Sequence, residues 1–182
     1  MSLFTRIGGL IFIATFFLNC SDKVDVKVVD FNNEYSIELP NYLKRVEGLN
    51  SEASLQYMNT INGVCVMVIE EPKSNLTKLI ASSAFKESYS DSLEGYADIF
   101  LNQIDKKFSI IGKPIIQNST IKNNKFVFLS FNVRLVENDI YYDIALVEGT
   151  GKYYQVYTWV PVNGKVKEQN SMRKVLESFE EL

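Results

Sequence analysis

The sequence contains no histidine. Histidine is the commonest metal ligand and the side chain most often used for proton transfer near neutral pH, so its absence excludes a Cys-His zinc site and a Cys-His nucleophile pair. Cysteine occurs twice, at Cys20 and Cys65. There is no Gly-rich phosphate loop, no nucleophile elbow and no acidic cluster with the spacing of a calcium loop. No catalytic residue, metal or cofactor is therefore expected, and the chain reads as a non-enzyme. Charge of one sign is also lacking: 19 Lys and Arg stand against 22 Asp and Glu, a formal net charge of −3. Without a basic field, nucleic acid and tight electrostatic binding to anionic lipid are both disfavoured.

Long hydrophobic runs are scarce as well. The strongest, Ile7 to Leu18, is apolar apart from Thr15 and two glycines, and Arg6 is the only side-chain cation before it. It is shorter than the roughly 20 residues that span a bilayer. A charged segment followed by such a run has the layout of a signal peptide, but the small-residue cleavage site of a plain secretory signal is missing. Leu18-Asn19-Cys20 stands there instead, followed by Ser21-Asp22-Lys23. This segment resembles the lipobox of bacterial lipoproteins, with Asn19 where Gly, Ala or Ser is commoner.

The resemblance implies a diacylglyceryl group on the Cys20 thiol, cleavage before it, and a mature protein anchored by acyl chains such as palmitate. Each buried CH₂ adds about 0.8 kcal/mol, and more than one chain is needed for stable anchoring. Ser21 rather than Asp after the cysteine implies the outer membrane by enterobacterial sorting rules. The expected organisation is a signal peptide over 1–19, the acylated cysteine and a short tether over 20–25, and a single domain over 26–182. An N-terminal anchor that is retained, with an incidental cysteine, is the alternative. With Cys20 acylated, Cys65 has no intramolecular disulfide partner. Its setting, "GVCVMVIE", reads as an inner strand in which cysteine serves as a small hydrophobe, or as a reactive or intermolecular thiol.

In the body, "YSIELP" alternates Tyr35, Ile37 and Leu39 before Pro40, and Phe31 to Tyr35 carries turn residues, giving an opening hairpin. Ala53–Met58 and Val64–Glu70 flank Asn62-Gly63, a hairpin signal. Past Pro72 the stretch with Leu76, Leu79, Ile80 and Ala84 predicts one short helix. Leu93, Tyr96, Ala97, Phe100, Leu101, Ile104 and Phe108 recur at helical steps and predict a helix over 92–108, capped by Ser90 or Asp91. Strands follow over 113–121, 125–136, 140–148 and 152–161, and their short links require an antiparallel meander. Val127, Leu129, Phe131 and Val133 face one way while Phe126, Phe128, Ser130 and Asn132 face the other, so helices are expected on both sides. A last helix is expected over 165–181, with Met172, Val175, Leu176 and Phe179 on its stripe.

This order of elements resembles the PsbP/DcrB-like α/β/α sandwich, through "YSIELP" ahead of an aromatic-bearing segment, the late strand Tyr153 to Pro161, and the closing Ser178-Phe179. The resemblance covers nearly all of the mature chain and implies an α+β fold with a mostly antiparallel sheet flanked by helices. Its members act as accessory subunits, adaptors or import and secretion partners, which implies an envelope protein partner here. Fold analogy is a limited warrant for function.

Few residues suggest chemistry. Glu70-Glu71 reads as a solvated strand end, and Glu137, Asp139 and Asp143 read as acidic neighbours around a hairpin turn. Aromatic side chains gather late in the chain, and Tyr141, Tyr153, Tyr157 and Trp159 form a candidate binding surface, against the reading of an apolar core with phenol edges. The leading expectation is a membrane-anchored, non-catalytic protein-binding or assembly module. The alternative is an envelope lipoprotein that holds a small ligand between sheet and helix.

Overall fold

The computed structural model describes residues 24–82, 88–135, 138–163 and 166–182. Cys20, with the apolar run before it, lies outside the described residues, as does Ala84.

Strands β1 (Val26–Phe31) and β2 (Tyr35–Pro40) form the opening hairpin, in register from Val26↔Pro40 to Phe31↔Tyr35. Asn32 and Asn33 make its turn at φ 53° and 57°, a left-handed backbone that asparagine tolerates better than most residues. Tyr35, Ile37 and Leu39 are fully buried on one face of β2. The hairpin does not join the main sheet. Its third strand is β10 (Glu180–Glu181), which pairs with β2 at Ser36 and Tyr35.

That pairing corrects the expected end of the last helix. Helix α3 (Val166–Glu177) stops at Glu177, where Ser178 Oγ lies 2.6 Å from the Val175 carbonyl and accepts from Glu38 N at 2.9 Å. The open edge of β2 offers backbone partners that a continued helix would leave unused, so the final residues turn to extended structure.

Among the described residues the main sheet has seven strands: β3 (Lys44–Arg45), β4 (Ala53–Asn59), β5 (Val64–Pro72), β6 (Ile110–Ile121), β7 (Asn124–Arg134), β8 (Asp139–Glu148) and β9 (Lys152–Pro161). Their order is β3-β4-β5-β9-β8-β7-β6. The meander is β6 to β9 as expected, and the β4–β5 hairpin is added to it through β5 against β9, from Cys65↔Trp159 to Pro72↔Lys152. Helices α1 (Lys73–Ala81) and α2 (Leu93–Lys107) lie in the connection between β5 and β6.

Each face of the sheet carries its own core. Val127, Leu129, Phe131, Ile144 and Leu146 pack with Leu76 of α1 and with Tyr96, Phe100 and Ile104 of α2. Phe126, Phe128, Val147 and Val156 pack with Met172, Val175 and Leu176 of α3 and with the inner residues of β2. Helices thus cover both faces, with the small sheet sharing the α3 side. Each such side chain contributes about 1.5–3 kcal/mol by leaving water.

Helix α2 is capped by Ser92, whose side chain accepts from Gly95 N at 3.3 Å, and not by Ser90 or Asp91. A Cβ on Gly95 would stand 1.9 Å from the Ser90 carbonyl oxygen. Gly95→Ala would gain about 1 kcal/mol of helix propensity in open surroundings. Here it must push the capping segment away, and a net loss of about 1–3 kcal/mol is expected. A lowered denaturation midpoint with unchanged slope would show this; an unchanged or higher midpoint would mean that the segment yields freely.

Candidate functional site

The expected aromatic surface does not form one patch. Side chains alternate along a strand, and the register sets Tyr141 opposite Val160 but Tyr142 opposite Trp159. Tyr141 therefore packs on the α3 face, while Tyr153 and Tyr157 pack on the α1–α2 face with Tyr142. Tyr153 is 2% exposed and stacked on Tyr96 at 4.5 Å, which makes it core. The half-buried Tyr157 donates to Gln155 Oε1 at 2.6 Å and its ring lies 6.0 Å from Phe100. Trp159, also half-buried, lies 5.9 Å from Tyr142.

Asp143 departs furthest from its expected place. It sits inside β8, 1% exposed, and accepts from Ser130 Oγ at 2.9 Å and from Arg173 Nη2 at 2.8 Å. The Arg173 guanidinium also lies 4.3 Å from the Phe128 ring centre. Burial pushes the Asp143 carboxyl up to about 6, against the pull of Arg173 and Ser130. Asp139 instead faces Arg134 at 3.7 Å, and Glu137 lies outside the described residues. Glu70 is no solvated strand end either: it is ion-paired with Lys152, which also holds Glu34. Cys65 is fully buried, and desolvation pushes its thiol up to about 12, so it stays protonated at neutral pH as an inert core residue.

A concavity of about 490 Å³ opens where the chain enters the fold. Val24 and Asp25 lead into it, Asn41 and Tyr42 of the turn after β2 form one wall, Asn62 of the β4–β5 hairpin another, and Glu168 and Ser171 of α3 a third. Tyr42 is partly desolvated, which raises its phenol pKa, and it is hydrogen-bonded with Ser171. Two carboxylates, two carboxamides, a hydroxyl and an aromatic ring line the cavity, and no cation does so among the described residues. Its volume is within the range of small-ligand sites. A smaller cavity of about 150 Å³ lies between α1, α2 and β9, around Tyr96, Phe100 and Gln155. Sequence reasoning missed the larger one because its walls come from segments far apart in the chain, none carrying a motif.

Sheet, helices and small appended sheet together define an α/β/α sandwich of the PsbP-like kind. No family model matches the chain, and no curated protein matches it. Among solved structures, the chain is similar to the cyanobacterial PsbP protein CyanoP from Synechocystis, at 14% identity over 88% of this chain and 94% of that one, with a TM-score of 0.54. It is also similar to the Ran-binding protein Mog1p of Saccharomyces cerevisiae, at 10% identity over 87% and 96%, with a TM-score of 0.55. A protein of unknown function from Pseudomonas aeruginosa, described as a putative regulator, matches at 7% identity over 84% and 94%, with a TM-score of 0.50. At such identities the likeness is one of fold.

Proposed function

We propose that this protein is a cell-envelope lipoprotein, held on the membrane by acylated Cys20 and acting as a non-catalytic binding or assembly module. The observation that carries the reading is Leu18-Asn19-Cys20 at the end of a short apolar run, with β1 starting at Val26. So short a tether places the folded body next to the bilayer. The fold supports the second half of the reading: one structural neighbour is described as Ran-binding. The partner here is a protein of the envelope, and the sorting residue Ser21 favours the outer membrane.

The test is intact mass and membrane fractionation of wild type beside Cys20→Ser, with crosslinking on the wild type. Acyl mass and sedimentation with membranes are expected in the wild type and are lost in the variant. An unacylated wild type that still sediments with membranes would replace the lipid anchor by a retained apolar segment. A second reading, favoured by the cavity of about 490 Å³, is a small-ligand binder whose ligand carries positive charge to meet Asp25 and Glu168. Native mass spectrometry that retains a small molecule, lost on Glu168→Gln, would favour it over a protein partner.

A further inference from the structure

The two ends of the main sheet differ in chemistry. At one end lie the β1–β2 turn, the start of β9 and the ends of β5 and β8. Ion pairs gather there: Lys73 with Glu148 at 3.1 Å, Lys125 with Glu148 at 3.2 Å, Lys122 with Glu180 at 2.8 Å, and Lys152 with Glu34 and Glu70. At the other end, beside the Arg134–Asp139 pair at 3.7 Å, three loops each expose one apolar side chain. Ile61 on the β4–β5 hairpin is 92% exposed, Leu135 after β7 is 48% exposed and Val162 after β9 is 39% exposed.

These tips belong to one end of the molecule. Val162 N donates to the Asp139 carbonyl at 2.8 Å, which ties the β9 exit to the β7–β8 connection. Gly63 packs so near Pro161 that a Cβ there would lie 3.1 Å from the proline ring, which ties in the β4–β5 hairpin. The chain enters the fold at the same end, since Val24 and Asn62 line one cavity. Four residue steps separate Cys20 from Val24, a reach of at most about 14 Å when fully extended.

We infer that this end is a membrane-docking face: Ile61, Leu135 and Val162 rest in the interface of the bilayer that holds the Cys20 acyl chains, and the ion-paired end points away from it. The inference rests on the lipoprotein reading and adds an orientation to it. The occupant is a lipid surface because the chain leading to the anchor leaves from this end, with Val24 beside Asn62, and is too short to let the body stand clear. Contact of this sort depends on apolar insertion and not on basic residues, in keeping with the net charge of −3. It also leaves the charged end, with the β1–β2 turn and β10, free for a partner in the aqueous space.

The test is spin-label accessibility on the acylated full chain in phosphatidylcholine vesicles. One label is placed by Ile61→Cys and one by Gly151→Cys at the far end, where added atoms meet nothing within 4 Å. Both positions are exposed and Cys65 is buried, so labelling is selective and folding is undisturbed. The Ile61 label is expected to be several-fold more accessible to oxygen than to a water-soluble nickel chelate, and the Gly151 label to show the reverse, at low and high salt alike. Acylated protein with both labels in water would overturn the orientation and leave the lipoprotein reading standing. Protein without acyl mass would overturn both. Shielding of Ile61 that persists in lipid-free Cys20→Ser protein and grows with concentration would overturn it in favour of a second copy of the chain.

Discussion

Arg173→Met is expected to destabilise the fold by about 3 kcal/mol near pH 7.5 and by clearly less near pH 5. Arg173 is the only cation within reach of the buried Asp143 among the described residues, at 2.8 Å. Methionine would keep much of the packing over Phe128 but leave a carboxylate in the core with only Ser130 as partner. Burial already raises the Asp143 pKa to about 6 from its ordinary 3.8, so the native state holds this proton more tightly than the unfolded chain. Stability from this group is then fully present below about 3.8 and is lost as pH rises through about 6.

Removing Arg173 removes a force that opposes the rise, so the pKa climbs further and the loss extends to higher pH. At pH 5 the variant carries a neutral carboxyl and most of the penalty disappears. Denaturant unfolding at the two pH values measures the difference. An equal penalty at both would assign the loss to packing over Phe128 and not to charge. Asp143→Asn, in the same experiment, should flatten the dependence of stability on pH between about 4 and 7.

Phe179→Ala is expected to cost about 3–5 kcal/mol, the range for a buried aromatic cut back to a methyl group. Phe179 is 1% exposed, its ring centre 5.2 Å from that of Tyr35 and 4.9 Å from that of Tyr154. It sits between the end of α3 and β10, so its loss empties the junction of helix, small sheet and main sheet at once. Tyr154, whose hydroxyl donates to Glu181 at 2.9 Å, would lose its packing neighbour while keeping that bond. Hydrogen exchange should show β10 and the β2 edge released ahead of the meander. Protection in β10 that stays at the wild-type level, with a loss near 1 kcal/mol, would mean that the aromatic cluster closes over the gap.

Much of the framework was legible because it rests on local patterns. The alternation in Phe126 to Val133 and the helical spacing from Leu93 to Ile104 each bury a face that the sequence already marks as apolar. Turn residues did the same: Asn32 and Asn33, between Phe31 and Tyr35, take the left-handed backbone that asparagine tolerates better than most residues. The α/β/α layering followed from a meander whose strands are apolar on both faces. Helix ends were less legible, since Ser92, Ser90 and Asp91 are all good caps and only the observed backbone separates them.

What the sequence by itself determined is the part that depends on near neighbours in the chain: strands, helices and hairpins, and the exclusion of histidine chemistry. What only the tertiary structure decided is what depends on residues far apart. The β5–β9 pairing, the return of β10 to β2, and the burial of Asp143 against Arg173 each join segments with no local signal for one another. The aromatic residues show the boundary most plainly. Their presence was plain in the sequence, but a shift of one residue along β8 moves a side chain to the other face, so Tyr141 and Trp159 ended on opposite sides of the sheet. The grouping of Ile61, Leu135 and Val162 at one end has the same cause, because loops meet only once the strands between them have paired.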